Sequence, residues 1–236
     1  MRHINFESYH QLDFRSNEAY ISLRTNLLFC GNNIKLVCFT SCLPNEGKSN
    51  VSFHLAVSIA ESGKKVLFVD ADLRKSVIIG RYKPDRAVLG LTHYLSGQNE
   101  MEDIRYTTNM KNLDIIFSGP VSPNPSELLG SDYFLELLKS MRNEYDYVII
   151  DTPPLASVID SVIVSEQCDG VVLIIETNAI SYKLAQRVKK QLEKGNCKIL
   201  GAVLNKVNLS DRLYGHYKKK YRRYENDYKS NSISDE

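Results

Sequence analysis

No apolar run in the sequence approaches the roughly eighteen residues that a membrane-spanning helix needs. The opening stretch, Met1 to Phe14, has no apolar block of the kind that a secretory signal carries. The chain therefore reads as cytoplasmic, and any contact with a membrane is expected to come through a partner. Cysteine is sparse and unpatterned: Cys30, Cys38, Cys42, Cys168 and Cys197 are odd in number and form no C-x-x-C pair. That argues against a disulfide framework or a zinc site and for a reducing compartment. A large excess of one charge is also missing. The formal net charge is +2, so the molecule as a whole is not built to bind a polyanion. No internal repeat is found.

What is there is ordinary for a globular protein: 236 residues, 43% hydrophobic and 25% charged, enough for one large domain with tails and a core without staples. Six β-branched, nearly continuous apolar runs read as strands buried on both faces: Lys35 to Thr40, Lys65 to Asp70, Leu113 to Phe117, Tyr147 to Asp151, Gly170 to Glu176 and Ile199 to Asn205. Helical patterns lie between them at Lys48 to Glu61, closed by Gly63, at Ser131 to Asn143, and at Ser181 to Lys194, closed by Gly195. A further helix, about Ser16 to Phe29, precedes the first strand. Such alternation predicts an α/β fold, a mostly parallel sheet with helices on both faces. The expected organisation is an N-terminal segment with a helix (1–33), one domain (34–206) and a mobile tail (207–236), because the apolar periodicity stops after Lys206.

The first predicted strand runs through "SCLPNEGKSN" into a helix. Strand, tight loop and helix N-terminus together make an anion site, since backbone N–H groups converge there and the helix dipole favours negative charge. Pro44, Asn45, Glu46, Gly47, Lys48, Ser49 and Asn50 are the candidate ATP-binding residues. Lys48 would reach the β- and γ-phosphates, Ser49 would bind Mg²⁺, and Gly47 lets the backbone approach closely. Cys42 stands where the usual P-loop pattern has its first glycine, and a chance G-K-S at a helix start is the competing reading. Lys48 is expected to be solvated, so that Lys48→Met would spare the fold.

A phosphoryl-transfer site also needs carboxylates at neighbouring strand ends. "YDYVIIDTPP" supplies Asp151, in the manner of a Walker B acid. "KVLFVDADLRK" supplies Asp70 and Asp72, which would lie on one side of the strand if it continued to Asp72. These two would hold a metal's water shell or accept a proton from an incoming hydroxyl. Solvation of a strand end is the bland alternative for any one of the three.

The tail is unusual. From Arg212 to Tyr224 there are six Lys or Arg and no acid, and Tyr214, Tyr217, Tyr221, Tyr224 and Tyr228 are interleaved with them. Their spacing of 3, 4, 3 and 4 matches a coiled-coil seam, though one without Leu or Ile. Interleaved basic and aromatic residues also suit single-stranded nucleic acid.

Taken together, these residues resemble the bacterial tyrosine kinases of capsule and exopolysaccharide gene clusters. The shared features are "PNEGKS" as Walker A, "DADLR" at Asp70 to Arg74 as Walker A′, Asp151 to Pro154 as the end of Walker B, "GPVSPNPSELL" from Gly119 to Leu129, and the tyrosine cluster. The resemblance spans about residues 16 to 228. Asn45 replaces a usual glycine and Ser76 a usual proline. In the E-x-x-R-x-x-R pattern of the N-terminal helix, Glu18 and Arg24 match but Ile21 stands for the middle arginine.

The resemblance implies a P-loop fold and an ATP- and Mg²⁺-dependent protein-tyrosine kinase. Lys48, Asp70 and Asp72 would be catalytic, and Ser49, Asp72 and Asp151 would hold the metal. The five tail tyrosines would be phosphorylated in trans by a neighbouring copy. It further implies a membrane-embedded activator or co-polymerase subunit that recruits the chain to the inner face of the membrane, self-association that is ring-like in the family, and a cognate phosphatase. Sugar-nucleotide enzymes and glycosyltransferases would be protein substrates, and no nucleic acid is expected. Asn205 is a candidate for reading adenine, with a strand-end cap as the alternative. Two other functions share these motifs: a positioning ATPase of the septum-site or partitioning type, whose extra lysine is Leu43 here, and a nucleotide-binding regulatory subunit.

Overall fold

The computed structural model describes residues 2–208, so the five tail tyrosines lie outside the described residues. The chain opens with a short strand, β1 (Arg2–Ile4), and a helix, α1 (Phe14–Leu28), capped where the Asp13 carboxylate accepts the Ser16 N–H at 2.9 Å. Next come β2 (Leu36–Ser41), α2 (Lys48–Glu61) and β3 (Val66–Asp70). Three short helices follow, α3 (Ile78–Tyr82), α4 (Leu91–Leu95) and α5 (Met101–Ile104), and then β4 (Arg105–Thr108) and β5 (Leu113–Ile116). The second half runs α6 (Pro125–Leu129), α7 (Asp132–Glu144), β6 (Tyr147–Asp151), α8 (Asp160–Ser165), β7 (Gly170–Glu176), α9 (Tyr182–Lys194) and β8 (Ile199–Asn205).

The eight strands form one sheet in the order β1-β4-β5-β3-β6-β2-β7-β8. All neighbours are parallel except β4 and β5. Along each central strand alternate residues feed two cores, as the period of two requires. Leu36, Cys38, Leu67, Val69, Val148 and Ile150 pack with α7, α8 and α9, whereas Val37, Phe39, Val66, Phe68 and Ile149 pack with α1 and α2. This is the predicted α/β architecture.

The departures have physical causes. β1 and β4 are too short and too polar to announce themselves. They pair with each other at one edge, where Ile4 and Tyr106 point into the core and the neighbouring Arg2 and His3 stay exposed. β8 was read as buried on both faces, but it is the opposite edge and leaves Leu204 half-exposed. Arg24 of the N-terminal helix turns inward and donates to the Ser58 carbonyl of α2 at 2.5 Å, which helps fasten α1 to the domain. No helix among the described residues is long and apolar enough to cross a membrane.

Phe53 of α2 sits in the core on the face of the sheet that α1 and α2 cover. Its ring stacks on Tyr82 at 4.0 Å and meets Phe6 and Phe68 edge-on at 5.6 and 5.3 Å. His54 beside it is pushed down to about 4 by burial and by the charge of Arg81, so it is neutral at physiological pH. Replacing the fully buried Phe53 with alanine should cost about 3–5 kcal/mol, the usual range for emptying a buried aromatic site. Denaturant melts should show it as a lower midpoint, with proteolysis appearing first before Phe14, because the Phe6 contact is lost.

Candidate functional site

Strand order places the site. β6 lies between β2 and β3, so the acid that ends β6 falls between the loop after β2 and the acid that ends β3. The pairing is in register: Phe39 faces Asp151, and Asp151 faces Asp70. Parallel strands bring these C-terminal ends to one edge of the sheet, the usual position for ligands in such folds.

The loop between β2 and α2 is held from inside. Asn45 and Gly47 have φ of 67° and 89°, the left-handed region. Asparagine tolerates that conformation better than most residues with a side chain, which suits Asn45 to this position. Gly47 cannot be replaced so easily, because a Cβ there would stand 2.2 Å from Asn205 Nδ2. The buried Glu46 carboxylate accepts the Leu43 N–H at 2.6 Å and the Glu176 N–H at 3.2 Å. Asn205 Nδ2 donates to the Glu46 carbonyl at 2.8 Å. The loop is therefore fastened to the ends of β7 and β8, and α2 starts at Lys48.

Lys48 corrects the sequence reading. It was expected to be solvated, but its side chain is only 7% exposed. Its ammonium lies 2.9 Å from Asp151 Oδ2 and 3.9 Å from Asp72 Oδ2, and it donates to Ser49 Oγ at 3.0 Å. Removing it would leave buried carboxylates uncompensated, which is strongly destabilising. Lys48→Met is therefore expected to weaken the fold as well as the chemistry.

The carboxylates are equally constrained. Asp151 is buried, and its Oδ1 accepts the Ser52 hydroxyl at 3.1 Å. Its Oδ2 is close to Lys48 but not aligned for a hydrogen bond, and it has no hydrogen-bond partner among the described residues. β3 ends at Asp70, so the strand does not continue to Asp72 as one reading allowed. A turn carries Asp72 back instead, with its Oδ1 accepting the Lys75 N–H at 3.0 Å while Oδ2 faces Lys48. Asp70 is fully buried; burial, followed by the charge of Asp151, raises its pKa to about 7 against the opposing effects of Ser76 and Lys48.

Several contributors were given no role by the sequence, although Arg74 and Ser126 lie in segments it singled out. Ser52 follows Lys48 by one helical turn and shares its face. Arg74 reaches across to the buried Asp160 through two contacts, at 2.7 and 3.0 Å, and Ser126 donates to the same carboxylate at 2.7 Å. That clamp ties the turn after β3 to α6 and α8, and with them the "GPVSPNPSELL" segment.

Among the described residues no group of three or more His, Cys, Asp or Glu is arranged to chelate a metal. Mg²⁺ asks for less: one or two carboxylates, with the remaining positions filled by water and phosphate. Ser49, Asp72 and Asp151 supply hard oxygen donors, and the unbonded Asp151 Oδ2 is the buried polar atom such an ion would satisfy.

The raised affinity of Asp70 for its proton has a consequence for stability. An unfolded Asp titrates near 4, roughly, so folding takes up a proton between there and about 7. The stability contributed is present at acid pH and is lost as pH rises through that window. Asp70→Asn should therefore raise the melting temperature at alkaline pH, with a gain that shrinks as pH falls toward the ordinary Asp range. Melting curves of both proteins across pH check the sign.

Comparison with known proteins agrees with this geometry. A family model described as an AAA domain matches residues 44–200. Tyrosine-protein kinase CpsD of Streptococcus agalactiae is 41% identical over 203 residues, covering 86% of this chain and 89% of that protein. Tyrosine-protein kinase YwqD of Bacillus subtilis (strain 168) is 40% identical over 205 residues, covering 86% of each. The kinase domain of Escherichia coli tyrosine kinase ETK superposes with a TM-score of 0.77 at 31% identity over 87% of each chain. A chain with a nucleotide-type loop, acids at the ends of two adjoining strands, a third in the turn beyond, and these relatives belongs to the bacterial tyrosine-protein kinases.

Proposed function

We propose that this kinase uses Mg²⁺ and ATP to phosphorylate the C-terminal tyrosines of a neighbouring copy, and that it regulates capsule or exopolysaccharide biosynthesis. The observation that carries this reading is the gathering of Lys48, Asp72 and Asp151 about one point, with Asp70 in register beside Asp151. In this assignment the backbone from Pro44 to Asn50 cradles the phosphates and Asn205 takes the adenine. Lys48 leaves Asp151 for the β- and γ-phosphates. Ser49, Asp72 and Asp151 hold Mg²⁺, which when bound neutralises phosphate charge and orients the terminal group.

Asp70 takes the phenol proton. As it does so, the phenol oxygen bonds to the γ-phosphorus and the bond to the β–γ bridging oxygen breaks, leaving ADP. A carboxylate whose proton affinity is raised toward neutrality is suited to that task. Turnover that depends on a charged Asp70 should fall as pH drops below about 7.

The tail supports the substrate assignment by its chemistry. Five phenols and six cations on one short segment are drawn to a site of carboxylate and phosphate. Each phosphorylation adds about −1.5 to −2 charges, so the modified tail turns anionic and leaves. We assign residues 34–206 to the kinase domain and 207–236 to the substrate tail. The chain is placed in the cytoplasm, held at the inner face of the membrane by a membrane-embedded activator. Other copies of itself, sugar-nucleotide enzymes or glycosyltransferases, and a tyrosine phosphatase complete the set of partners.

The test mixes two proteins. One is active but carries Phe at positions 214, 217, 221, 224 and 228; the other carries Asp151→Asn and an intact tail. Asp151→Asn keeps shape and relieves like charge, so the acceptor should stay folded. Mass spectrometry should find phosphate on the tail tyrosines of the Asp151→Asn protein, and transfer should slow with added salt as the steering attraction is screened. Phosphate confined to tyrosines before Lys206, or no transfer at all, would refute the tail as substrate.

A further inference from the structure

Ser76 follows the DADLR segment by two residues, and its side chain carries a hydroxyl. Its hydroxyl donates to Asp70 Oδ2. Ser76 Oγ in turn accepts the Ile78 N–H at 3.2 Å, so one side of the hydroxyl is occupied and its hydrogen is turned toward the carboxylate. The relay runs Ile78 N–H to Ser76 O–H to Asp70. Among the described residues, Asp70 Oδ1 accepts a hydrogen bond from the Asp72 N–H alone, at 3.3 Å, beyond the usual range for a strong bond.

The two oxygens of Asp70 are thus unequal. Oδ2 is fixed from the far side of the 70–78 loop. Oδ1 lies on the side of the weakly held contact. The loop between them is itself rigid, because Asp72 Oδ1 accepts the Lys75 N–H at 3.0 Å and Arg74 is clamped to Asp160.

We propose that Ser76 is a positioning residue for phosphoryl transfer, which pins Asp70 Oδ2 so that Oδ1 faces the incoming phenol. The inference rests on Asp70 being the proton acceptor of the proposed function. A purely structural role for Ser76, tying down the start of α3 through Ile78, is the alternative that the experiment must separate.

Initial rates of phosphate transfer to the full-length Asp151→Asn chain are measured at varied ATP, together with melting temperatures. Ser76→Ala should lower kcat roughly tenfold, the factor corresponding to one net hydrogen bond to a charged group. KM for ATP and the melting temperature should change little. Ser76→Thr, which keeps the hydroxyl, should restore the rate. In an Asp70→Asn background, Ser76→Ala should have no further effect. An unchanged kcat for Ser76→Ala overturns the proposal. A loss that tracks melting temperature and is not rescued by Thr overturns it in favour of the structural role, and so does an additive loss in the double variant. If Asp70→Asn alone keeps its kcat, the proton-acceptor reading fails and takes this proposal with it. If Asp70→Asn is inactive while Ser76→Ala is normal, only the role of Ser76 fails.

Discussion

The ammonium of Lys48, with Asp151 at 2.9 Å and Asp72 at 3.9 Å, is the contact around which the rest of the site is arranged. Two carboxylates, Asp70 and Asp151, end adjoining strands in direct register, Asp72 follows in the turn after β3, and burial denies all three water. Like charges that close in a poorly solvated place repel strongly. One cation cannot satisfy three acids, and the chain divides the load. Lys48 faces Asp151 and Asp72, the Ser52 hydroxyl serves Asp151, backbone N–H groups serve Asp72, and Asp70 is left with raised affinity for a proton. Function follows from the same shortage: a carboxylate that holds its proton near neutrality is a usable base, and an unaligned oxygen on Asp151 is a usable metal ligand.

Such a cluster costs stability, and the surrounding structure offsets the cost with rigidity. The loop that carries Lys48 is bolted to β7 and β8 through Glu46 and Asn205, elements remote from it in sequence. The turn that carries Asp72 is clamped through Arg74 to the buried Asp160. α2 is buried along nearly its whole length, so the helix whose N-terminus faces the site is fixed by both its packing and its pairing with α1. A site strained by charge keeps its geometry because every element bearing a charged group is anchored somewhere else.

Much of the frame was legible in the sequence. The strands that end in Asp70 and Asp151, β7 and α2 fall where their apolar periodicity puts them, because strands buried in a parallel sheet are continuously apolar; β8 falls in its place as well, though as an edge strand and not a buried one. β1, β4 and the five short helices were not legible. Each is three to six residues long, at most about two periods of its pattern, and depends on tertiary contacts for its stability.

The sequence by itself determined which groups are present: a G-K-S loop, three acids at or just beyond two strand ends, and phenols beside cations in the tail. Only the tertiary structure decided how they are used. That Lys48 is buried and paired rather than solvated follows from β6 lying between β2 and β3, a non-local order that no local pattern encodes. That Ser76 meets Asp70, and that Asn205 braces Glu46, follow from loops closing across 6 and 159 residues. Composition fixes the inventory of charge, but the pKa of a buried acid depends on which neighbours the fold brings within a few ångströms of it.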